Sequence, residues 1–297
     1  MRLAILGSGS AVPDPERGNP SEAIVVDGTT LIFDCGERTT VNLVRAGINP
    51  LDVDALFFTH LHWDHISDFG YFALTSWNCG RRRELPVFGP AGTAAMVEAA
   101  LHGVHRADTE FLRAYIRALP PHVLERPSVE PPFIAHEIDI GWVWEHDRIR
   151  VLSGAVEHHQ RLGMPSLAYR VDSPHGVVAL SGDTAPCDAV VELARNADIL
   201  VHDAAFLEEI IEERQMWSHS SPSGAGRVAA AAGVKTLVLT HLGPYTSPAP
   251  AVEMASMYYG EARGPEIWEE IVARARTQFD GEVLLGHDAL VIEVGHA

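Results

Sequence analysis

Cysteines, basic residues and long apolar runs are all scarce in this 297-residue chain, and each shortage removes a class of answer. Cys35, Cys79 and Cys187 are odd in number and far apart, which excludes a disulfide framework and a cysteine-built zinc ribbon. Cys35 and Cys187 read as small structural side chains. No apolar stretch approaches the roughly 18 residues of a membrane helix. The N-terminal run Leu3–Leu6 breaks at Gly7, too early for a signal peptide. The expectation is a cytoplasmic protein with no membrane partner. Lysine and arginine total 22 against 40 aspartates and glutamates, a formal charge of −18. A field of that sign disfavours nucleic acid as a partner. The one basic cluster, Arg81-Arg82-Arg83, reads as a solvated helix end or a local phosphate contact.

What the chain does have is a globular composition, 46% apolar and 21% charged, and 16 histidines. Strand-like runs recur from Leu3–Leu6 to Ala289–Val294, rich in β-branched residues and bounded by Gly, Asp or Pro. Asp27-Gly28 marks a tight hairpin, and Ser173-Pro174-His175-Gly176 marks another. Helical patterns lie between strands: Glu37–Ala46 ahead of Gly47, and a helix opened by Ser221-Pro222 that stops near Gly233. Hairpins come first in each half and strand-helix alternation follows. That order predicts an α/β sandwich, two mixed β-sheets between helices, built by residues 1–297 as a single domain. Residues 102–145 carry Pro120-Pro121 and Pro131-Pro132 and no sustained period. They read as an irregular, aromatic-bearing insertion that borders the active site.

The informative segment is Thr59-His60-Leu61-His62-Trp63-Asp64-His65, fed directly by the apolar run Asp54–Phe58. In extended chain His60 and His62 point to the same side, so both imidazoles can hold one ion. Asp64 and His65 follow at a turn, within reach of a second. Gly7 and Gly9 do not form a dinucleotide fingerprint, because Val12-Pro13-Asp14-Pro15 stands where a helix would have to begin. They read as a loop that approaches the site closely.

This H-x-H-x-D-H segment resembles the signature of the metallo-β-lactamase superfamily. LGSGSAVPDPERGNPSEAIVVDG (Leu6–Gly28), LIFDCGERT (Leu31–Thr39) and VFGPAGT (Val87–Thr93) resemble its branch of ribonuclease Z and arylsulfatase-like hydrolases. SGDT (Ser181–Thr184), LVHDAAF (Leu200–Phe206), SHSS (Ser218–Ser221) and LTHL (Leu239–Leu242) follow in the family's order. The resemblance implies the αββα sandwich and a dinuclear site. His60, His62 and His158 would hold the first metal, Asp64, His65 and His241 the second, and Asp183 would bridge them. His159, beside His158, is the alternative ligand. In ribonuclease Z-like proteins a histidine at the position of His219 reaches the scissile group, supported by the carboxylate of an H-E-A-T motif. Here that motif reads His202-Asp203-Ala204-Ala205, with a shorter acid.

The expected chemistry is hydrolysis of a small ester, a phosphodiester or sulfate ester, by a metal-bridging hydroxide. Asp64 would orient the water and His219 would donate to the substrate oxygen. Five imidazoles and two carboxylates favour two zinc ions, with manganese or iron as alternatives. The alternatives to a small-ester hydrolase are a ribonuclease Z-type tRNA 3′-end endonuclease, a lactonase and a non-catalytic metal carrier. Familiar ribonuclease Z forms grip tRNA with a long arm between the third metal motif and the bridging aspartate; the interval His158–Asp183 holds only a loop and a hairpin. Homodimers among related proteins offer an analogy for a homodimer here, but the sequence does not identify the oligomeric state.

Overall fold

The computed structural model describes residues 1–120 and 127–295; Pro121, His122 and His296 lie outside them. The first sheet takes β1 (Arg2–Gly7), β2 (Ser21–Val26), β3 (Thr29–Phe33), β4 (Val53–Phe57), β5 (Leu85–Gly89) and β6 (Phe133–Glu137). The second takes β7 (Val143–His146), β8 (Ile149–Ala155), β9 (Leu167–Ser173), β10 (Gly176–Leu180), β11 (Ile199–Asp203), β12 (Thr236–Thr240) and β13 (Glu282–Leu285). The last strand, β14 (Leu290–Glu293), returns to the first sheet and pairs antiparallel with β1. Each sheet has seven strands, in spatial order β14-β1-β2-β3-β4-β5-β6 and β13-β12-β11-β10-β9-β8-β7. Both mix parallel and antiparallel pairs, as the hairpin-then-alternation pattern predicts.

Period-two alternation sorts the apolar residues into layers. Leu3 and Ile5 of β1 face the second sheet, where they share a core with Val171, Val178, Val201 and Val238, while Ala4 and Leu6 face the helices outside. On β11, Ile199 and Val201 point inward and Leu200 points to the outer helices. Strands apolar on both faces need cover on both faces, so the two sheets stack with helices on each outer side. Phe33 and Phe57 stack at the centre with ring centroids 4.9 Å apart, and the Tyr169 ring packs at an angle against both, 5.4 and 5.6 Å away.

The local signals hold where their chemistry is specific. Asp27 and Gly28 both take positive φ, 49° and 92°, the pair needed for the two-residue β2–β3 turn. Pro174 and His175 join β9 to β10 in register Ser173↔Gly176. Ser221 caps the helix Pro222–Ala232 by accepting from the Gly224 N–H at 3.1 Å, and Gly233 ends it at φ 67°. The helix expected over Glu37–Ala46 spans Thr39–Arg45.

Residues 102–145 differ from the expected irregular insertion. They include the end of a π-helical turn (Ala99–Val104), a helix (Arg106–Ala118) and the strands β6 and β7. Thr109, Leu112 and Ile116 form that helix's buried stripe, a three- and four-residue spacing masked by its many charges. Phe133 is buried under the helices and Trp142 and Trp144 pack on the inter-sheet core, so these aromatics are structural. Among the described residues, no helix is long and apolar enough to cross a membrane.

Arg274, on the helix Ile267–Arg276, ties the outer helices together. Its guanidinium reaches Glu208 at 2.5 Å and Glu209 at 2.6 Å on the helix Glu208–Arg214, and also pairs with Glu270. Glu208 in turn accepts from the Ser223 N–H at 3.0 Å. Burial pushes the Glu208 carboxyl up, but its bonds from Ser223 and Arg274 outweigh that and hold its pKa at about 2. A depressed carboxyl stabilises the fold above its unfolded value near 4.5, and that stabilisation is lost as pH falls toward 2. Glu208→Gln should therefore cost about 1 kcal/mol at pH 7, a screened value for a side chain still one-third exposed. In urea unfolding, the difference from wild type should shrink between pH 4.5 and pH 3. A difference constant across that range would place the contribution elsewhere.

Candidate metal centre

Five strands of two sheets end at one place. β4 runs through Phe58 and Thr59 into His60, β10 leads to Asp183, β11 ends on Asp203, β12 leads to His241, and β8 leads to His158. In the second sheet, β10, β11 and β12 are parallel, and β8 shares their direction because β9 is antiparallel to both β8 and β10. Strand ends of common direction therefore deliver His158, Asp183, Asp203 and His241 to a single rim. His62 is still extended, at φ −64° and ψ 150°, and immediately precedes the short helix Trp63–Ile66 that carries Asp64 and His65.

Two clusters result. His60, His62, His158 and Asp183 have ligand-type atoms within 4.8 Å of one another, and so have Asp64, His65 and His241. Asp183 turns one oxygen to each. Its Oδ2 stands 3.7 Å from His60 Nε2 and 3.9 Å from His158 Nε2, and its Oδ1 3.3 Å from both His65 Nε2 and His241 Nε2. Asp64 Oδ2 stands 3.4 Å from His241 Nε2 and 3.6 Å from His65 Nε2.

Outer contacts orient the imidazoles. His65 Nδ1 donates to Asp34 Oδ2 at 2.7 Å, which leaves Nε2 directed at the clusters. Asp34 also accepts from the Thr59 N–H and hydroxyl, both at 2.7 Å. His158 Nδ1 donates to the Ser218 carbonyl at 3.0 Å. Asp34 and Ser218 went unremarked as functional residues in the sequence, although Asp34 closes the strand-end Phe33-Asp34-Cys35-Gly36. The glycine loop braces the far side: Leu242 N–H donates to Ser8 O at 2.9 Å, and Ser10 N–H to Leu242 O at 3.1 Å. At Gly7 a Cβ would lie 1.7 Å from the Asn19 carbonyl oxygen, so only glycine admits this crossing.

The site's polar atoms fit divalent cations. His65 Nε2 and both ring nitrogens of His241 are buried with no hydrogen-bond partner, a costly state for groups this polar. Burial pushes His60, His62 and His158 down, His158 to about 4, which favours the neutral, metal-binding imidazole, and His60 Nε2 and His158 Nε2 meet His62 Nδ1 at 2.8 and 3.4 Å. Burial also works against charge on His65 and His241, yet Asp183 and its neighbouring carboxylates outweigh it, and His241 stands at about 9. The carboxylates around His65 and His241 thus call for positive charge, which a metal ion held there would supply in place of protons.

His219 adjoins both clusters, its ring centroid 5.0 Å from that of His158 and 5.3 Å from that of His241, and its ligand-type atom also comes within 4.8 Å of those of Asp183 and His241. Its Nδ1 bonds Asp203 Oδ2 at 2.9 Å. The shorter acid does reach: Asp203 is fully buried and also accepts from the backbone N–H groups of Ala205, Thr184 and Ser220. His159 groups only with His158 and His219, with no carboxylate among them, and its Nε2 meets Ser218 Oγ at 3.2 Å. Cys35 is buried beneath the site and Cys187 Sγ contacts Thr184 Oγ1 at 3.8 Å, both outside the clusters. Arg81 is not a phosphate contact. It is 3% exposed and donates to the carbonyls of Val53 and Pro50, while Arg83 pairs with Asp54.

A family model described as the β-lactamase superfamily domain matches residues 29–242, which contain every residue of both clusters. The chain belongs to the metallo-β-lactamase superfamily. Within it the similarity runs to ribonuclease Z: that of Mycobacterium bovis (strain BCG / Pasteur) is 31% identical over 303 aligned residues, covering 99% of this chain and 98% of the relative. Ribonuclease Z of Mycobacterium sp. (strain KMS) is 32% identical, covering 99% and 96%. Among solved structures, the fold protein YhfI of Bacillus subtilis aligns with TM-score 0.70 at 18% identity, covering 98% of each chain. The short form of human tRNase Z aligns with TM-score 0.69 at 20% identity, covering 100% of each. This superfamily member is a metal-dependent hydrolase acting on ester bonds, and its fold implies divalent metal ions.

The bonds that Asp34 accepts from Thr59 and His65 should contribute to stability. Asp34→Ala would leave the Thr59 N–H and His65 Nδ1 buried without acceptors, and should cost about 2–4 kcal/mol in denaturant unfolding. A cost below about 1 kcal/mol would mean that water replaces the carboxylate.

Proposed function

We propose that this chain is a ribonuclease Z-type phosphodiesterase that cleaves RNA at a dinuclear zinc centre. The observation that carries the reading is similarity to ribonuclease Z along both whole chains, joined to a His219–Asp203 pair held at 2.9 Å beside the clusters. His60, His62 and His158 would hold one ion, Asp64, His65 and His241 the other, and Asp183 would serve both. Imidazole and carboxylate donors without thiolates suit zinc. When bound, such ions lower the pKa of water toward neutrality and polarise a phosphoryl oxygen.

The protein's own part is positioning and proton transfer. Asp203, fixed by three backbone N–H groups, holds Nδ1 of His219 and so directs Nε2 outward. From there His219 Nε2 donates to the leaving oxygen of the scissile phosphodiester. Asp64 orients the attacking water in addition to its place in the second cluster.

This reading reverses the expectation that nucleic acid is not a partner. The charge of −18 describes the whole surface, whereas binding depends on the field at the site, where two divalent ions would be the largest local charges. A specific observation keeps the small phosphodiester as a second reading. The interval from His158 to Asp183 is taken up by the turn Gln160–Leu162 and the hairpin β9–β10, with no protruding arm for tRNA.

Two measurements test the proposal. Metal-loaded protein should cleave a 3′-extended precursor tRNA at its 3′ end, at nanomolar enzyme and faster than bis(p-nitrophenyl) phosphate, at low and at physiological salt. Turnover of the small diester alone would replace this reading with the second. His219→Ala should keep two ions per chain by elemental analysis yet lose roughly 100-fold in kcat. Loss of metal would make His219 a ligand, and unchanged turnover would make it structural.

A further inference from the structure

We infer that Trp63 is a stacking platform for the nucleobase flanking the scissile phosphodiester, and that the cleft beyond it receives the neighbouring bases; this rests on the RNA reading above. Trp63 stands between two residues of the centre, His62 and Asp64, yet its side chain is 66% exposed. Its ring centroid lies 5.9 Å from that of His62, close enough for a phosphate at the clusters and a base on the indole to belong to one nucleotide. Most of the indole surface there is left to solvent instead of the core.

Beyond Trp63 opens a cleft of about 780 Å³ between the helix Phe69–Asn78 and the helices that follow β5. Tyr71 and Phe111 line it and are also largely exposed, 56% and 65%, with Met96, Val104 and Leu112 completing an apolar wall. No lysine or arginine lines the cleft, and its one carboxylate, Asp108, is paired with His105 at 3.6 Å. Such a wall offers little to phosphates but suits the flat faces of bases, which stack on aromatic rings with little regard to sequence. Trp63, which lines the cleft, is the residue between His62 and Asp64 of the centre. RNA would thus be held by its bases here, which meets the absence of an arm between His158 and Asp183.

The test is equilibrium binding of a short fluorescent RNA, carrying a non-hydrolysable methylene-phosphonate at the cleavage position, to metal-loaded wild type, Trp63→Ala and Trp63→Phe. Trp63→Ala should bind roughly 10-fold more weakly, one base's worth of stacking. Trp63→Phe should stay within about threefold, and both should hold two metals per chain. Removing the base next to the cleavage position should weaken wild type by the same factor and leave Trp63→Ala unmoved, because the two changes delete one contact. If wild type binds the RNA and Trp63→Ala binds it equally well, the stacking role is overturned and the ribonuclease reading stands. If that variant instead turns a dimer into a monomer by sedimentation with RNA affinity unchanged, the cleft belongs to a second copy of the chain. If wild type binds no RNA, the ribonuclease reading falls and this inference with it.

Discussion

The Asp183 carboxylate, buried with one oxygen on each of two histidine clusters, is the constraint around which the rest of the molecule is organised. An acid so placed is held well below its usual pKa. Burial alone would raise it, but His241, His65 and His219 more than compensate. Charge buried at this density persists only where cations answer it. The fold answers by ending strands of both sheets within a few ångströms of each other. The inter-sheet core makes that convergence rigid: Leu3, Phe57, Tyr169 and Val238 fix the sheets face to face, and the chain segments beyond their strands inherit the alignment.

A second ring of contacts makes the donors directional. Asp34 and the Ser218 carbonyl take the outward nitrogens of His65 and His158, and Asp203 does the same for His219. These partners are themselves pinned, Asp34 by Thr59 and Asp203 by three backbone N–H groups. The rings of His65, His158 and His219 are thus set by bonds made away from the reacting space, which turns their other nitrogens toward it.

Much of this arrangement was legible in the sequence because its signals are local. His60 and His62 differ by two positions on extended chain, Asp27-Gly28 dictates a turn, and Ser221-Pro222 with Gly233 brackets a helix. What was not legible depends on partners remote in the chain. Asp34 matters because Thr59 and His65 fold onto it from 25 and 31 residues away. Arg81 looked like one of three surface cations, but β4 and the turn before it offer carbonyls that draw it inside. The helix Arg106–Ala118 was missed because only three of its residues are buried and its charges hide their spacing. Asp203 seemed too short beside the family's glutamate, yet the backbone brings His219 to it.

Net charge is a sum, and recognition is local. A formal charge of −18 argued against nucleic acid, but a sum weighs Glu270, occupied by Arg274 on an outer helix, as heavily as a residue at the rim of the centre. Screening over about 8 Å at physiological salt means that distant acids scarcely reach a phosphate held at the clusters. What decides recognition lies within that radius: buried carboxylates calling for divalent cations, and next to them an exposed indole with an apolar cleft behind it. A protein so poor in basic residues gains little from the counterion release that gives most nucleic-acid binders their affinity. Under the proposed ribonuclease function, affinity would come from metals at one phosphate and from base faces beside it, since Trp63 stands next to His62.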